Sequence, residues 1–334
     1  MATYGISYMG SKNSIAPELC KYMLYRHPDK TYFIDCCCGG FAMTDYILTH
    51  TDNMKVIAND YDSDLMGFYD YFFASKENRD KLLNMSYIDR ETYFKLMPIA
   101  KNELKILLVC CYTFGNQNTN DGTYLYGKEI ELQKELLDNL CVYGNESHIS
   151  QYFKDNESRC KEDLDSIRKW YSELSDDIKN APVFKKHNLM IQQLKHRFIR
   201  IERLQRLAQL ERLSRLERLS RDCIEMLDSL PDEIINNAII YFDPPYSNTA
   251  TYKCGDDSLN NRILKWCLKN KHRCPCYISE YTLYDGMQQC YYTKKLSLLN
   301  NSVATKKHKT ELLMYNGYEN VNECLGDQLQ LWTK

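Results

Sequence analysis

No run of apolar residues in this 334-residue chain approaches the length a membrane-spanning helix needs, which excludes that class. Residues 1–15 carry no apolar core of a secretory leader either, so a cytoplasmic location, in a bacterium or an infected host cell, is expected. Metal-site patterning is missing too. The 15 cysteines include no Cys-x-x-Cys pair and histidines number only 7, so no structural metal is expected. An odd cysteine count, with Cys36-Cys37-Cys38 and Cys110-Cys111 set inside apolar runs, reads as free thiols acting as small hydrophobes in a reducing compartment. Net charge is also slight, at −2, and by itself points to no partner. What remains, 44% apolar and 26% charged residues, is the composition of a globular protein with one large domain or two unequal ones.

The charge is unevenly placed. Residues 185–221 hold eleven Lys or Arg against three Glu, which leaves the rest of the chain acidic. Such a concentration is the electrostatic footprint of a polyanion partner, and a solvated helix face is the plain alternative. Within it leucine recurs every third residue, at Leu204, Leu207, Leu210, Leu213, Leu216 and Leu219. Leu, Arg, Glu and Gln favour helix. A period of three nevertheless drifts by about 60° per step on a helix of about 3.6 residues per turn, so the six cannot form one straight stripe. Short turns, or a winding path, are the two ways out.

Four short apolar runs predict buried strands of a parallel sheet: Tyr32–Cys36, Lys55–Ala58, Ala238–Phe242 and Cys276–Ser279. Thr310–Tyr315 is a candidate fifth. A helix over Ala42–Thr49 links the first two runs into a βαβ unit, and right-handed crossovers then give a doubly wound α/β sheet with its site at the carboxyl ends of the strands. About 180 residues separate the second run from the third, too many for a crossover. An inserted region must lie there. It opens with a helix near Ser63–Phe73 and continues through the apolar run Leu104–Tyr112, a polar loop over Phe114–Tyr126 and an acidic, exposed helix over Asp155–Asp177. The division this predicts is a catalytic domain of residues 1–75 and 232–334, with residues 76–231 as a mostly helical insert.

Chemistry concentrates at Ala238-Ile239-Ile240-Tyr241-Phe242-Asp243-Pro244-Pro245-Tyr246. An apolar strand delivers an acid, two prolines and an aromatic. The prolines fix φ and supply no N–H, so the turn is rigid and its carbonyls are free to accept. That suits an exocyclic amine on a flat ring: Asp243 accepts one amine hydrogen, the Pro244 carbonyl the other, and Tyr246 stacks on the ring. Two acceptors draw the lone pair out of the ring and toward a methyl sulfonium, by positioning and electrostatics and without a metal. A buried strand followed by an ordinary Asp-Pro turn is the bland alternative.

Phe33-Ile34-Asp35-Cys36-Cys37-Cys38-Gly39-Gly40-Phe41 reads as a strand entering a glycine turn and then a helix. Twenty-one residues after Gly39 the second strand ends at Asn59-Asp60. An acid there hydrogen-bonds ribose hydroxyls in nucleotide-binding folds.

Taken in order, these motifs resemble the adenine-N6 DNA methyltransferases of the Dam type, the D12 class, and the phage-encoded branch in particular. The resemblance implies a Rossmann-like methyltransferase sheet carrying an inserted target-recognition domain, S-adenosyl-L-methionine as cofactor, and double-stranded DNA as partner. Tyr8-Met9-Gly10-Ser11-Lys12 resembles the family's amino-terminal motif, which implies that Tyr8 and Lys12 touch the cofactor alongside Asp35, Gly39 and Asp60. Tyr112 to Gln117, with Asn116, and Tyr124 to Lys128 resemble a loop facing the DNA. Ile278-Ser279-Glu280-Tyr281 and Glu311 to Asn316 resemble the late strands flanking the base pocket. Where the family's glycine motif has a second glycine, this chain has Phe41, and Cys37 replaces an aromatic.

Three rivals stand beside this reading. Pro275-Cys276 resembles the nucleophile of cytosine-C5 methyltransferases, but Cys276 precedes an apolar strand with nothing to lower its pKa, and reads as a core cysteine. Methylation of cytosine N4 poses the same lone-pair problem. A non-catalytic DNA-binding protein on a methyltransferase scaffold is the third. Arg206, Arg212 and Arg215 in the basic run are expected to contact the DNA backbone, and a monomer is expected.

Overall fold

The computed structural model describes residues 4–83, 88, 90–113, 201–202, 204–245, 257–296 and 308–318. The described residues divide into two compact units: one of residues 1–5, 10–66 and 206–334, the other of residues 6–9 and 67–205.

The first unit is built on a seven-stranded sheet. Its strands are β1 (Tyr32–Asp35), β2 (Lys55–Asn59), β3 (Leu216–Leu219), β4 (Ala238–Phe242), β5 (Cys276–Glu280), β6 (Gln288–Leu296) and β7 (His308–Tyr315), in the order β3-β2-β1-β4-β5-β7-β6. From β3 to β5 the neighbours run parallel, with Ile34 of β1 opposite both Ile57 and Ile240. β7 then pairs antiparallel with β5, and β6 with β7. Every residue of β4 and β5 is buried, as expected for central strands covered on both faces. This is the doubly wound α/β architecture the sequence led us to expect, Rossmann-like through its parallel strands.

Strand alternation sorts the side chains into two cores. On one face Ile34, Ile240, Phe242 and Ile278 pack with Met226 and Leu227 of α8 (Cys223–Ser229) and with Ile263 and Trp266 of α10 (Asp257–Lys269). On the other, Phe33 stacks on Tyr241 at 6.4 Å. The helices α1 (Ala16–Arg26) and α2 (Ala42–His50) pack together, and α2 rests on β1 and β2. The expected strands and the expected Ala42–Thr49 helix are all present within a residue or two.

The basic, leucine-spaced run is broken into short turns, one of the two expected ways out, and its last piece is a strand that was not expected. Leu204–Leu207 forms a 3₁₀ turn, Leu210–Leu213 a single helical turn (α7), and Leu216–Leu219 is the edge strand β3, paired with β2 from Val56 to Asn59. A 3₁₀ turn has about three residues per turn, so Leu204 and Leu207 fall on one side and are both buried. Leu210 is exposed. Glu217 and Arg218 on the edge strand discourage pairing with another chain. This segment completes the sheet, and residues 206–231 lie in the first unit. The short helix α9 (Asp232–Asn236) then leads into β4.

In the second unit the described elements are helical: most of α3 (Ser63–Ala74), then α4 (Lys76–Leu83), α5 (Arg90–Leu96) and α6 (Asn102–Tyr112). Phe68, Tyr69, Phe72 and Phe73 of α3 are buried, as is α6 from Lys105 to Tyr112. Gly67 permits the close approach of these two helices, since a Cβ there would lie 2.6 Å from the Asn102 side chain. The Tyr93 hydroxyl meets Thr113 Oγ1 at 2.8 Å. The polar loop over Phe114–Tyr126 and the acidic stretch Asp155–Asp177 lie outside the described residues.

Candidate active site

Strand order reverses between β1 and β4, and in open α/β sheets ligands bind at that point, beyond the carboxyl ends of the strands. Three carboxylates follow the ends of adjacent strands there. Asp35 closes β1, Asp60 follows β2 and Asp243 follows β4.

The glycine turn after β1 is anchored on both sides. Cys36 N–H donates to the Tyr241 carbonyl at 2.9 Å and Cys38 N–H to the Asn59 carbonyl at 2.8 Å. Gly39 adopts φ +43°, and its N–H donates to Asp60 Oδ2 at 2.9 Å. The other Asp60 oxygen accepts from Asp62 N–H at 2.9 Å. Asp60 thus ties the turn to the end of β2. Burial pushes its carboxyl up to about 6, against the two backbone hydrogen bonds, with the charges of Asp62 and Asp243 adding to the rise. Phe41, where the family has glycine, is wholly buried and takes the left-handed φ of +67° at the start of α2.

Asp35 is 1% exposed. Its Oδ2 accepts from Thr44 Oγ1 at 2.8 Å, while its Oδ1 is buried without a hydrogen-bond partner. Burial raises its carboxyl to about 7, opposed by the Thr44 hydrogen bond and reinforced by the nearby charges of Asp243 and Asp60. An orphaned, buried acceptor among three acids fits a cationic ligand carrying an ammonium and a sulfonium, so the residues present suit S-adenosylmethionine.

Asp243 stands at the head of the Pro-Pro turn. Lys12 Nζ donates to its Oδ1 at 2.5 Å and to the Gly10 carbonyl at 3.3 Å. Pro244 is buried, and the Pro245 carbonyl accepts from Asn260 Nδ2 of α10 at 3.3 Å. Sequence reasoning did not single out Asn260, and no local motif marks it. Tyr246 lies outside the described residues, as do Asn116, Tyr124 and Lys128. Tyr8 is half-buried and belongs to the second unit.

The three arginines expected on the DNA backbone each make contacts within the chain. Arg206 grips the buried carboxylate of Asp45 with Nε, at 2.9 Å from Oδ1, and with Nη2, and its guanidinium lies 4.9 Å from the Tyr4 ring. Asp45 also accepts from Gly5 N–H at 2.7 Å. Arg212 donates to the Arg206 carbonyl at 2.6 Å. Arg215 donates to the carbonyls of Met54 and Leu48, each at 3.0 Å, and so caps the carboxyl end of α2. These contacts seat the returning chain against α2 and the turn before β2.

A family model of the D12 class N6 adenine-specific DNA methyltransferases matches residues 8–199, more than half of the chain. The chain belongs to this family. No curated protein matches it. The match takes in Tyr8, Lys12, Asp35, Gly39 and Asp60 but ends before Asp243, so the family assignment and the Asp-Pro-Pro turn are independent observations that point the same way. The protein is an adenine-specific DNA methyltransferase, which favours adenine N6 over cytosine N4 as the acceptor. Cys276 opens β5 wholly buried, and burial pushes its thiol well above the ordinary range, so it is a core residue. Among the described residues no helix is long and apolar enough to cross a membrane.

Proposed function

We propose that this D12 methyltransferase takes its methyl group from S-adenosyl-L-methionine, held over the Asp35–Gly39 turn and Asp60, and delivers it to an adenine flipped out of double-stranded DNA into reach of Asp243. The bound cofactor would supply a methyl carbon on a positively charged sulfur. The chain's own residues do the rest. Asp35 offers the ammonium a buried acceptor with no other hydrogen bond, and Asp60 stands where ribose hydroxyls are taken in this fold. Asp243 accepts one N6 hydrogen and the Pro244 carbonyl the second, while Tyr246 stacks on the base. With the amine held between these two acceptors its lone pair is drawn out of the ring and aimed at the place where the bound cofactor would present its methyl group. Flipping costs a few kcal/mol, which stacking and phosphate contacts would offset. The inserted region, with Asn116, Tyr124 and Lys128, is proposed to read the target, and the enzyme to act as a monomer in a reducing, cytosolic compartment.

The observation that carries this reading is the placement of Asp35, Asp60 and Asp243 at the ends of adjoining strands across the point where strand order reverses. Asp243→Ala is expected to abolish methyl transfer to DNA while S-adenosylmethionine and DNA still bind. Tritiated-methyl incorporation with calorimetric binding measures both, and near wild-type turnover in this variant would refute the role given to Asp243.

A further inference from the structure

The family resemblance puts Lys12 on the cofactor; the structure puts its ammonium on the catalytic carboxylate, 231 positions away. Lys12 is 4% exposed and Asp243 17%. A lysine buried to that degree keeps its charge only beside a counter-charge, because desolvation alone favours the neutral amine. The backbone around it is also fixed. The Lys12 carbonyl accepts from the N–H groups of Ile15 at 3.0 Å and Ala16 at 2.8 Å, so the residue is locked into the turn that starts α1.

Other acids press on Asp243. Asp35 at the end of β1 and Asp60 beyond β2 both feel its charge, and both carboxyls are raised partly for that reason. On the β5 side Glu280 is buried, its oxygens accepting from Tyr281 N–H at 2.7 Å and the Tyr284 hydroxyl at 3.2 Å. A carboxylate in such company tends to take up a proton, and a protonated Asp243 presents one acceptor fewer to an exocyclic amine.

From this geometry we infer that Lys12 is the positioning residue of the catalytic turn: its ammonium keeps Asp243 ionised among the neighbouring acids and fixes the rotamer in which the carboxylate meets the adenine amine. This rests on the role proposed for Asp243. Lys12 transfers no proton and touches neither reacting atom; it acts through the aspartate. The target amine is neutral when it binds, so it does not compete with Lys12 for the Asp243 charge.

The test compares Lys12→Met, Lys12→Gln and Lys12→Arg with the parent enzyme, using saturating cofactor and an oligonucleotide duplex carrying the target adenine. In Lys12→Met the acid limb of kcat is expected to move up by about one to three pH units, as loss of an adjacent opposite charge requires. Its kcat at neutral pH should fall by about 10²-fold, the scale of a misplaced reacting group, with KM for DNA within threefold of the parent. Lys12→Gln keeps a donor but no charge, so it should show the shifted limb with kcat largely recovered at high pH. Lys12→Arg should restore the limb. If Lys12→Met does not fold, ¹³C-carboxyl NMR titration of the ligand-free parent and Lys12→Gln gives the same answer, with the Asp243 resonance assigned by its loss in Asp243→Asn. That carboxyl should titrate at higher pH in Lys12→Gln. An unmoved limb with normal kcat would overturn the inference, as would a defect confined to the affinity for S-adenosylmethionine, which would return Lys12 to the cofactor. Asp243→Ala run alongside separates the two levels. If it turns over normally the proposed role of Asp243 fails; if it is inactive while Lys12→Met keeps the parental limb, only the positioning role fails.

Discussion

Asp35→Asn should make the ligand-free protein more stable at neutral pH, by an amount that grows with pH. The parent carboxyl is raised from 3.8 to about 7, chiefly by burial. Between those two values the native chain holds a proton that the unfolded chain has released, so unfolding is favoured as pH rises through that interval. Sign and window follow: the penalty is absent below about pH 4, accumulates up to about pH 7, and is then constant. About three units at 1.36 kcal/mol each set a ceiling of about 4 kcal/mol, and relaxation around the site will reduce it to about 2–3 kcal/mol. Asparagine keeps an oxygen for the Thr44 hydroxyl, so little packing changes. Asp60, raised to about 6, remains in both proteins and contributes its own slope below that pH, which makes the interval from pH 6 to 7.5 the cleanest. Urea unfolding of both proteins from pH 4.5 to 8.5 measures the difference directly. Two stability curves that stay parallel across that range would refute the buried-charge account of Asp35. The same variant should bind S-adenosylmethionine less tightly, since it has lost the counter-charge for the ligand's ammonium. A gain of stability with loss of binding is the signature of a site held in a strained state for function.

Two further outcomes follow from single contacts. Arg206→Met leaves the Asp45 carboxylate buried without its fork, and should destabilise the protein by about 3 kcal/mol or more. The salt dependence of DNA binding should be unchanged; a stable variant whose log Kd against log salt slope drops by about one would instead make Arg206 a phosphate contact. At position 41, Phe41→Ala and Phe41→Gly both lose a buried ring. The glycine variant should nevertheless be the more stable by about 1 kcal/mol, because the left-handed backbone there is costly for any residue with a Cβ. Equal stability, or the reverse order, in thermal melts would mean that the turn relaxes away from that φ.

The central strands were legible because burial on both faces writes them as continuous apolar runs, and the βαβ rule made a doubly wound sheet of them. The edge strands were not. Leu-Glu-Arg-Leu occurs twice, six residues apart: at 210–213 it is a helical turn and at 216–219 it is strand β3. No local propensity can separate identical tetrapeptides. What separates them is a neighbour, the exposed edge of β2, which only the second copy reaches. The same holds for the charges. A run of arginines is read from sequence as a surface for phosphates, yet Arg206 and Arg215 point into the chain's own acceptors, an Asp carboxylate, a helix-end carbonyl and a carbonyl just before β2. Sequence shows how much charge a segment carries; it does not show whether an acceptor within the fold is nearer than DNA.

The site shows a similar limit, with a different cause. Asp243-Pro244-Pro245 and the glycine turn are local patterns, set by what the backbone must do at the end of a strand, and so they can be recognised in isolation. Lys12 could be recognised only as part of an amino-terminal motif, and that motif suggested a contact with the cofactor. Its position on Asp243 follows from a tertiary demand. Three carboxylates gathered at adjoining strand ends repel one another, and a buried cation beside the one that must stay ionised relieves that repulsion where it matters for the amine. In the proposed arrangement Asp35 and Asp60 would face the cationic cofactor and could remain raised until it binds. Asp243 would face a neutral amine, which brings no charge to relieve it, and Lys12 is the group placed to supply that charge.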